Sequence, residues 1–86
     1  MSYTILIPKP VQKQLNDLPE EVRRRMVEKL LSLAQEPRPP GVKKLKGFES
    51  EYRERVGDYR IRYEVDDETS TVVVLHCKHR KDEDRK

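Results

Sequence analysis

Tyr3, Ile5 and Ile7 alternate with Thr4 and Leu6, the period of a short strand. Pro8 and Pro10 end it, and Pro10 also suits the first turn of a helix, where a missing N–H costs nothing. Val11, Leu15 and Leu18 follow at i, i+4 and i+7, one face of a short helix. Asp17-Leu18-Pro19-Glu20-Glu21 reads as the start of a second helix, with Asp17 as the cap and the acids where the helix dipole favours them. Its apolar stripe is Val22, Met26, Leu30 and Leu33, and Arg23, Arg24, Arg25, Glu28 and Lys29 cover the other side. Pro37, Pro39, Pro40 and Gly41 stop it by about Glu36.

Past Leu45 the period changes to that of strands. Tyr52 to Val56 and Tyr59 to Val65 both alternate, with Gly57-Asp58 between them as a tight turn. Asp66 to Ser70 is a polar loop, and Val72-Val73-Val74-Leu75 predicts a strand buried on both faces. The residues from Lys81 onward are charged and are expected to fray. The order βααβββ predicts one α+β domain over residues 1–86: a sandwich of two N-terminal helices on a mostly antiparallel four-stranded sheet.

Composition narrows what such a domain can do. At 34% apolar and 41% charged residues the core is thin, which disfavours an enzyme that encloses a small molecule. No apolar run approaches the about 20 residues of a membrane span. The first residues lack a basic stretch followed by an apolar run, so a cytoplasmic location is expected. Net charge is only +3, but its distribution is uneven. Residues 43–63 carry seven basic and four acidic groups, residues 64–75 four acidic and no basic ones, and residues 76–86 five basic and three acidic. Two positive blocks that meet in space would make a cationic face, for which a polyanion is the natural partner.

A two-residue turn at Gly57-Asp58 places Arg53 opposite Arg62 and Arg55 opposite Arg60. Val56, Tyr59, Ile61, Tyr63, Tyr52 and Glu54 then face the helices, and the four arginines share the other face. A solvated sheet face is the competing reading. Against it, like charges directly across strands are destabilising, and arginine suits bidentate phosphate contact. On this register Arg62→Glu is expected to relieve repulsion and raise stability slightly. His76 and His79 lie three apart and so point to opposite faces of a regular strand. His79 is the candidate for catalysis, His76 for packing beside the apolar run, and Cys77 for a small buried residue. No residues have metal-ligand spacing, only three glycines are present, and neither a metal nor another cofactor is expected.

Lys44-Leu45-Lys46-Gly47, then Tyr52-Arg53-Glu54-Arg55-Val56-Gly57-Asp58-Tyr59-Arg60-Ile61-Arg62-Tyr63, then His79-Arg80-Lys81-Asp82 resemble the RelE branch of the RelE/ParE toxin superfamily. The resemblance spans nearly the whole chain. It implies a toxin of a toxin–antitoxin pair that enters the ribosomal A site and cuts translated messenger RNA without metal. It also implies a cognate antitoxin that restrains the toxin and can carry the complex to operator DNA. Residue by residue, Arg53 and Arg55 match two basic positions that are often lysine in the family, Arg60 the arginine after the turn, and Arg80 the arginine in the last strand. With His79 these form the expected catalytic set, and Lys44, Lys46, Arg62, Lys78 and Lys81 the expected RNA contacts. The family's tail tyrosine has no counterpart in Asp82-Glu83-Asp84-Arg85-Lys86. Two other functions share parts of this pattern: a gyrase inhibitor of the ParE type, and an RNA- or ribosome-binding module without chemistry.

Overall fold

Five strands and three helices follow one another in the computed structural model, which describes residues 2–40, 42–44 and 51–83. In chain order they are β1 (Thr4–Leu6), α1 (Lys9–Asn16), α2 (Glu20–Gln35), β2 (Lys43–Lys44), β3 (Glu51–Val56), β4 (Tyr59–Asp66), β5 (Thr71–His79) and α3 (Arg80–Glu83). The sheet order is β1-β5-β4-β3-β2, with β1 parallel to β5 and every other pair antiparallel. The α+β sandwich is as expected. The two-residue β2 is an addition, too short to leave a periodic signal, and α3 replaces the expected fraying of Lys81 to Glu83.

Both helices start at proline. Pro10 lies in the first turn of α1, and Pro19 is the cap of α2, directly before Glu20 and Glu21. Asp17 does not cap α2. It closes α1 instead, donating its N–H to the Lys13 carbonyl at 3.1 Å, because the chain spends Asp17 and Leu18 finishing that helix. Val11 and Leu15 of α1 and Met26, Leu30 and Leu33 of α2 are buried against Tyr52, Val56, Ile61, Tyr63, Val65, Val72, Val74 and Cys77. Burial of each large aliphatic side chain contributes about 1.5–3 kcal/mol, and this layer holds the helices on one face of the sheet. Among the described residues no helix is long and apolar enough to cross a membrane.

The β3–β4 hairpin has the expected register: Arg53 opposite Arg62, Glu54 opposite Ile61, Arg55 opposite Arg60 and Val56 opposite Tyr59. Gly57 takes φ +59°, the glycine-first pattern of a type II′ turn. β5 departs from regularity. Arg62 pairs with His76 but Tyr63 with Val74, so Leu75 is an extra residue, a β-bulge. The run Val72 to Leu75 is therefore not buried on both faces. Val72 and Val74 face the core, Val73 is half-buried, and Leu75 is 36% exposed. β1 pairs only with Thr71 to Val73. Beyond that, α1 packs against β5, and Gln14 Oε1 accepts the Cys77 N–H at 2.9 Å.

A polar clamp closes the opposite end. Arg38 donates to the Tyr52 hydroxyl (Nε, 2.8 Å) and to both carboxylate oxygens of Asp67 (3.2 and 2.9 Å), and the Tyr3 hydroxyl donates to Asp67 Oδ1 at 2.7 Å. These hydrogen bonds hold the Asp67 carboxyl below its ordinary range, Arg38 acting first and Tyr3 next. Tyr52 stacks on Tyr63 with centroids 5.9 Å apart. The buried Tyr63 hydroxyl donates to the Pro37 carbonyl at 2.7 Å, fixing the proline-rich turn to the sheet. Burial, then the negative charge of Glu54, pushes the Tyr63 phenol up. Tyr63→Phe is expected to lower stability by about 1–3 kcal/mol by leaving that carbonyl unpaired. Urea unfolding, with an unchanged slope and a lower midpoint, checks it.

Candidate functional site

Successive side chains alternate between the faces of a strand, so cross-strand pairs build rows on the face away from the helices. The row nearest the β3–β4 turn is Lys78, Arg60 and Arg55, and the next is His76, Arg62 and Arg53, continued in backbone register by Lys43. The third is Val73, Glu64 and Glu51. Arg55 is exposed; Arg53, Arg60, Arg62, Lys78 and His76 are half-buried. Directly opposed Cβ atoms lie about 4.5–5.5 Å apart, so the first two rows concentrate guanidinium and ammonium groups on a narrow patch. Arg80 opens α3, and its N–H donates to the Asp58 carbonyl at 2.8 Å. That bond fastens exposed Arg80 to the turn, at the cationic end of the face.

The face is not of one sign. Glu51 Oε1 accepts from Arg62 Nε at 2.9 Å and from its terminal nitrogen at 2.8 Å. The register that opposes Arg53 to Arg62 also opposes Glu51 to Glu64 two pairs further on, the next row of the same face, and that signal was present in the sequence. Arg62 is drawn toward this acidic row. The cationic end consists of Arg53, Arg55, Arg60, Lys78 and Arg80.

Several expected site residues fall elsewhere. His79 is opposite Tyr59 on the helix side, edge-on to that ring at 5.1 Å between centroids, and its Nδ1 accepts the Lys81 N–H at 3.2 Å. His76, expected in the packing, stands on the arginine face. The bulge at Leu75 is the cause, since one extra residue inverts the facing of every residue from His76 to His79. Lys44 is exposed and opposite Tyr52, on the alternation that faces away from the arginines. Lys81 is exposed on α3. Lys46 and Asp84 lie outside the described residues.

His79 instead lines an open cleft on the helix side with Gln14, Asp17, Leu18, Tyr59, Cys77 and Lys78. Cys77 is 3% exposed, and burial pushes its thiol up to about 11, so it is an inert core residue as expected. One carboxylate oxygen of Glu54 is buried on the helix side with no hydrogen-bond partner among the described residues. Among those residues no three His, Cys, Asp or Glu side chains converge as a metal-binding set.

The described residues define the class as a small α+β domain with a cationic end on its outer sheet face. Comparison with known proteins narrows it. Residues 5–83 match the family described as ParE toxin of the type II toxin–antitoxin system parDE. The chain is similar to toxin RelG of Mycobacterium tuberculosis, 32% identical over 83 residues and 95% of each chain. It is similar in structure to the RelE–RelB complex of Pyrococcus horikoshii, with a TM-score of 0.83 and 38% identity over 93% of this chain and 97% of that one. It also resembles the intact E. coli RelBE toxin–antitoxin complex, with a TM-score of 0.81 and 26% identity over 91% of this chain and 96% of that one. The chain belongs to the RelE/ParE superfamily of type II toxin–antitoxin toxins, as a RelE-type member.

Proposed function

We propose that this toxin is a ribosome-dependent endoribonuclease that cleaves messenger RNA in the A site during translation. The observation that carries the reading is the cationic end of the outer sheet face, where Arg55, Arg60 and Lys78 form one row, Arg53 stands in the next and Arg80 is tied to the turn. Such a surface is suited to a phosphodiester rather than to an enclosed metabolite.

RNA supplies its own nucleophile. The 2′-oxygen attacks the adjacent phosphorus in line, negative charge grows on the phosphorane oxygens, and the 5′-oxygen leaves. Preorganised guanidinium groups stabilise that charge, and fixing the strand in line supplies much of the remaining rate. Arg53, Arg55, Arg60 and Arg80 are assigned to the charge, and Lys78 to the flanking backbone. A shallow surface cannot align the strand by itself, which is why the reaction is placed on the ribosome, and hence in the cytoplasm. No cofactor is required. Relatives crystallised as toxin–antitoxin complexes support a cognate antitoxin as the second partner, one that covers this face with acidic residues and can recruit the pair to operator DNA.

Primer extension on a translated message after induction tests the reading. Cuts at translated codons are expected. A DNA-damage response without cuts would make the protein a gyrase inhibitor, and neither effect would leave a binding module.

A further inference from the structure

We infer that His76, not His79, accepts the 2′-hydroxyl proton in the cleavage step, an inference that rests on the nuclease reading above. The 2′-oxygen must lose its proton as it attacks. Arginine has donors only, and lysine is a donor at neutral pH, so the cationic rows cannot take it. Among the described residues the outer strand face holds four groups that can accept a proton near pH 7: His76, Glu51, Glu64 and, two rows beyond His76 at the far end of β4, Asp66. Glu51 binds Arg62 through Oε1. Glu64 is one row further from the turn, opposite Val73 and Glu51. His76 stands inside the cationic rows, opposite Arg62 and two residues from Lys78 on the same face. Its diagonal neighbour across the strands is Arg60, at the about 7–8 Å such neighbours keep.

The bulge is the independent observation. Continued alternation from Val72 and Val74 would turn His76 into the core and His79 outward. Leu75, unpaired and 36% exposed, breaks it. Bulges are concentrated beside active sites, where they re-aim a side chain, and here the side chain brought to the arginine face is an imidazole.

The step balances without a further reactant. The 2′-O–H proton passes to an imidazole nitrogen, the 2′-O–P bond forms and the P–O5′ bond breaks. The departing 5′-oxygen takes a proton from water, leaving a 2′,3′-cyclic phosphate and a 5′-hydroxyl, and the imidazolium returns its proton to solvent. Among the described residues the charged groups that face His76 in the strand register are Arg62, Arg60 and Glu64 from β4 and Lys78 from β5. From α1, Gln14 reaches Cys77 and brings no charge.

The test is the cleavage rate of a message on translating ribosomes, with the full chain, between pH 5.5 and 8. The wild-type rate should fall on acidification, as the accepting imidazole takes up a proton before it can receive one from the 2′-hydroxyl. His76→Gln should lose about 10²- to 10⁴-fold and the acid limb, while His79→Gln keeps the limb. His76→Ala should regain cleavage with imidazole in the buffer, which a purely structural role would not produce. Wild-type cleavage with an unchanged rate and pH limb in His76→Gln overturns the assignment and leaves the nuclease reading standing. Failure of imidazole to restore His76→Ala overturns it too. Growth arrest by the wild type with no cuts at all overturns the nuclease reading, and His76 then has no step to serve.

Discussion

Arg60→Ala and Arg80→Ala are each expected to relieve growth arrest on induction at wild-type expression, and to slow message cleavage about 10²- to 10³-fold, the usual cost of one donor to a developing oxyanion. Arg60 sits between Lys78 and Arg55 in the row nearest the turn, and Arg80 is held at the same end by its N–H to Asp58. Arg80 is exposed, and removal of an exposed side chain changes stability by about 0.5 kcal/mol or less. A lost activity in a chain with the wild-type melting curve is then a lost contact. The double variant should be far from additive if both groups stabilise one phosphorane. Undiminished toxicity in both single variants would remove the cationic end as the site.

Arg62→Glu is expected to destabilise the free protein by about 2–3 kcal/mol. Opposition to Arg53 alone would predict a small gain. The structure reverses the sign, because Arg62 makes two bonds to Glu51, with side chains only 30% and 16% exposed. Breaking one partner out of a fully buried ion pair costs about 3–5 kcal/mol, and this pair is partly solvated. The substitution also sets a third carboxylate beside Glu51 and Glu64. At about 4–8 °C per kcal/mol for a domain of this size, the melting temperature should fall by roughly 10 °C or more. Glu51→Gln in the same background should recover part of the loss by removing one of the opposed charges. A raised melting temperature would mean that repulsion from Arg53 outweighs the Glu51 pair.

The fold was legible where a single period ran long enough. Val22, Met26, Leu30 and Leu33 predicted α2 with its buried side, and the alternation about Gly57-Asp58 predicted the hairpin to the residue. Four arginines on one face followed from that register alone. Asp17 was misread because a capping residue before a proline looks the same whether it opens one helix or closes another. The two-residue β2 was invisible for lack of length.

What the amino-acid sequence determined by itself is the set of local choices: two proline-started helices, a glycine-first hairpin, and a sheet with one apolar and one charged side. Each depends on side chains a few residues apart, whose spacing any reader of the chain can count. What only the tertiary structure decided is which histidine joins the arginines. Val72 to His79 contains no glycine or proline to mark an irregularity. The bulge forms because Val72 and Val74 must pair inward with β4 at one end of the strand, and Cys77 must pair inward with Ile61 at the other. Strict alternation cannot satisfy both, since an even and an odd position fall on opposite faces. The core settles the conflict by expelling Leu75, and in doing so it turns His76 outward.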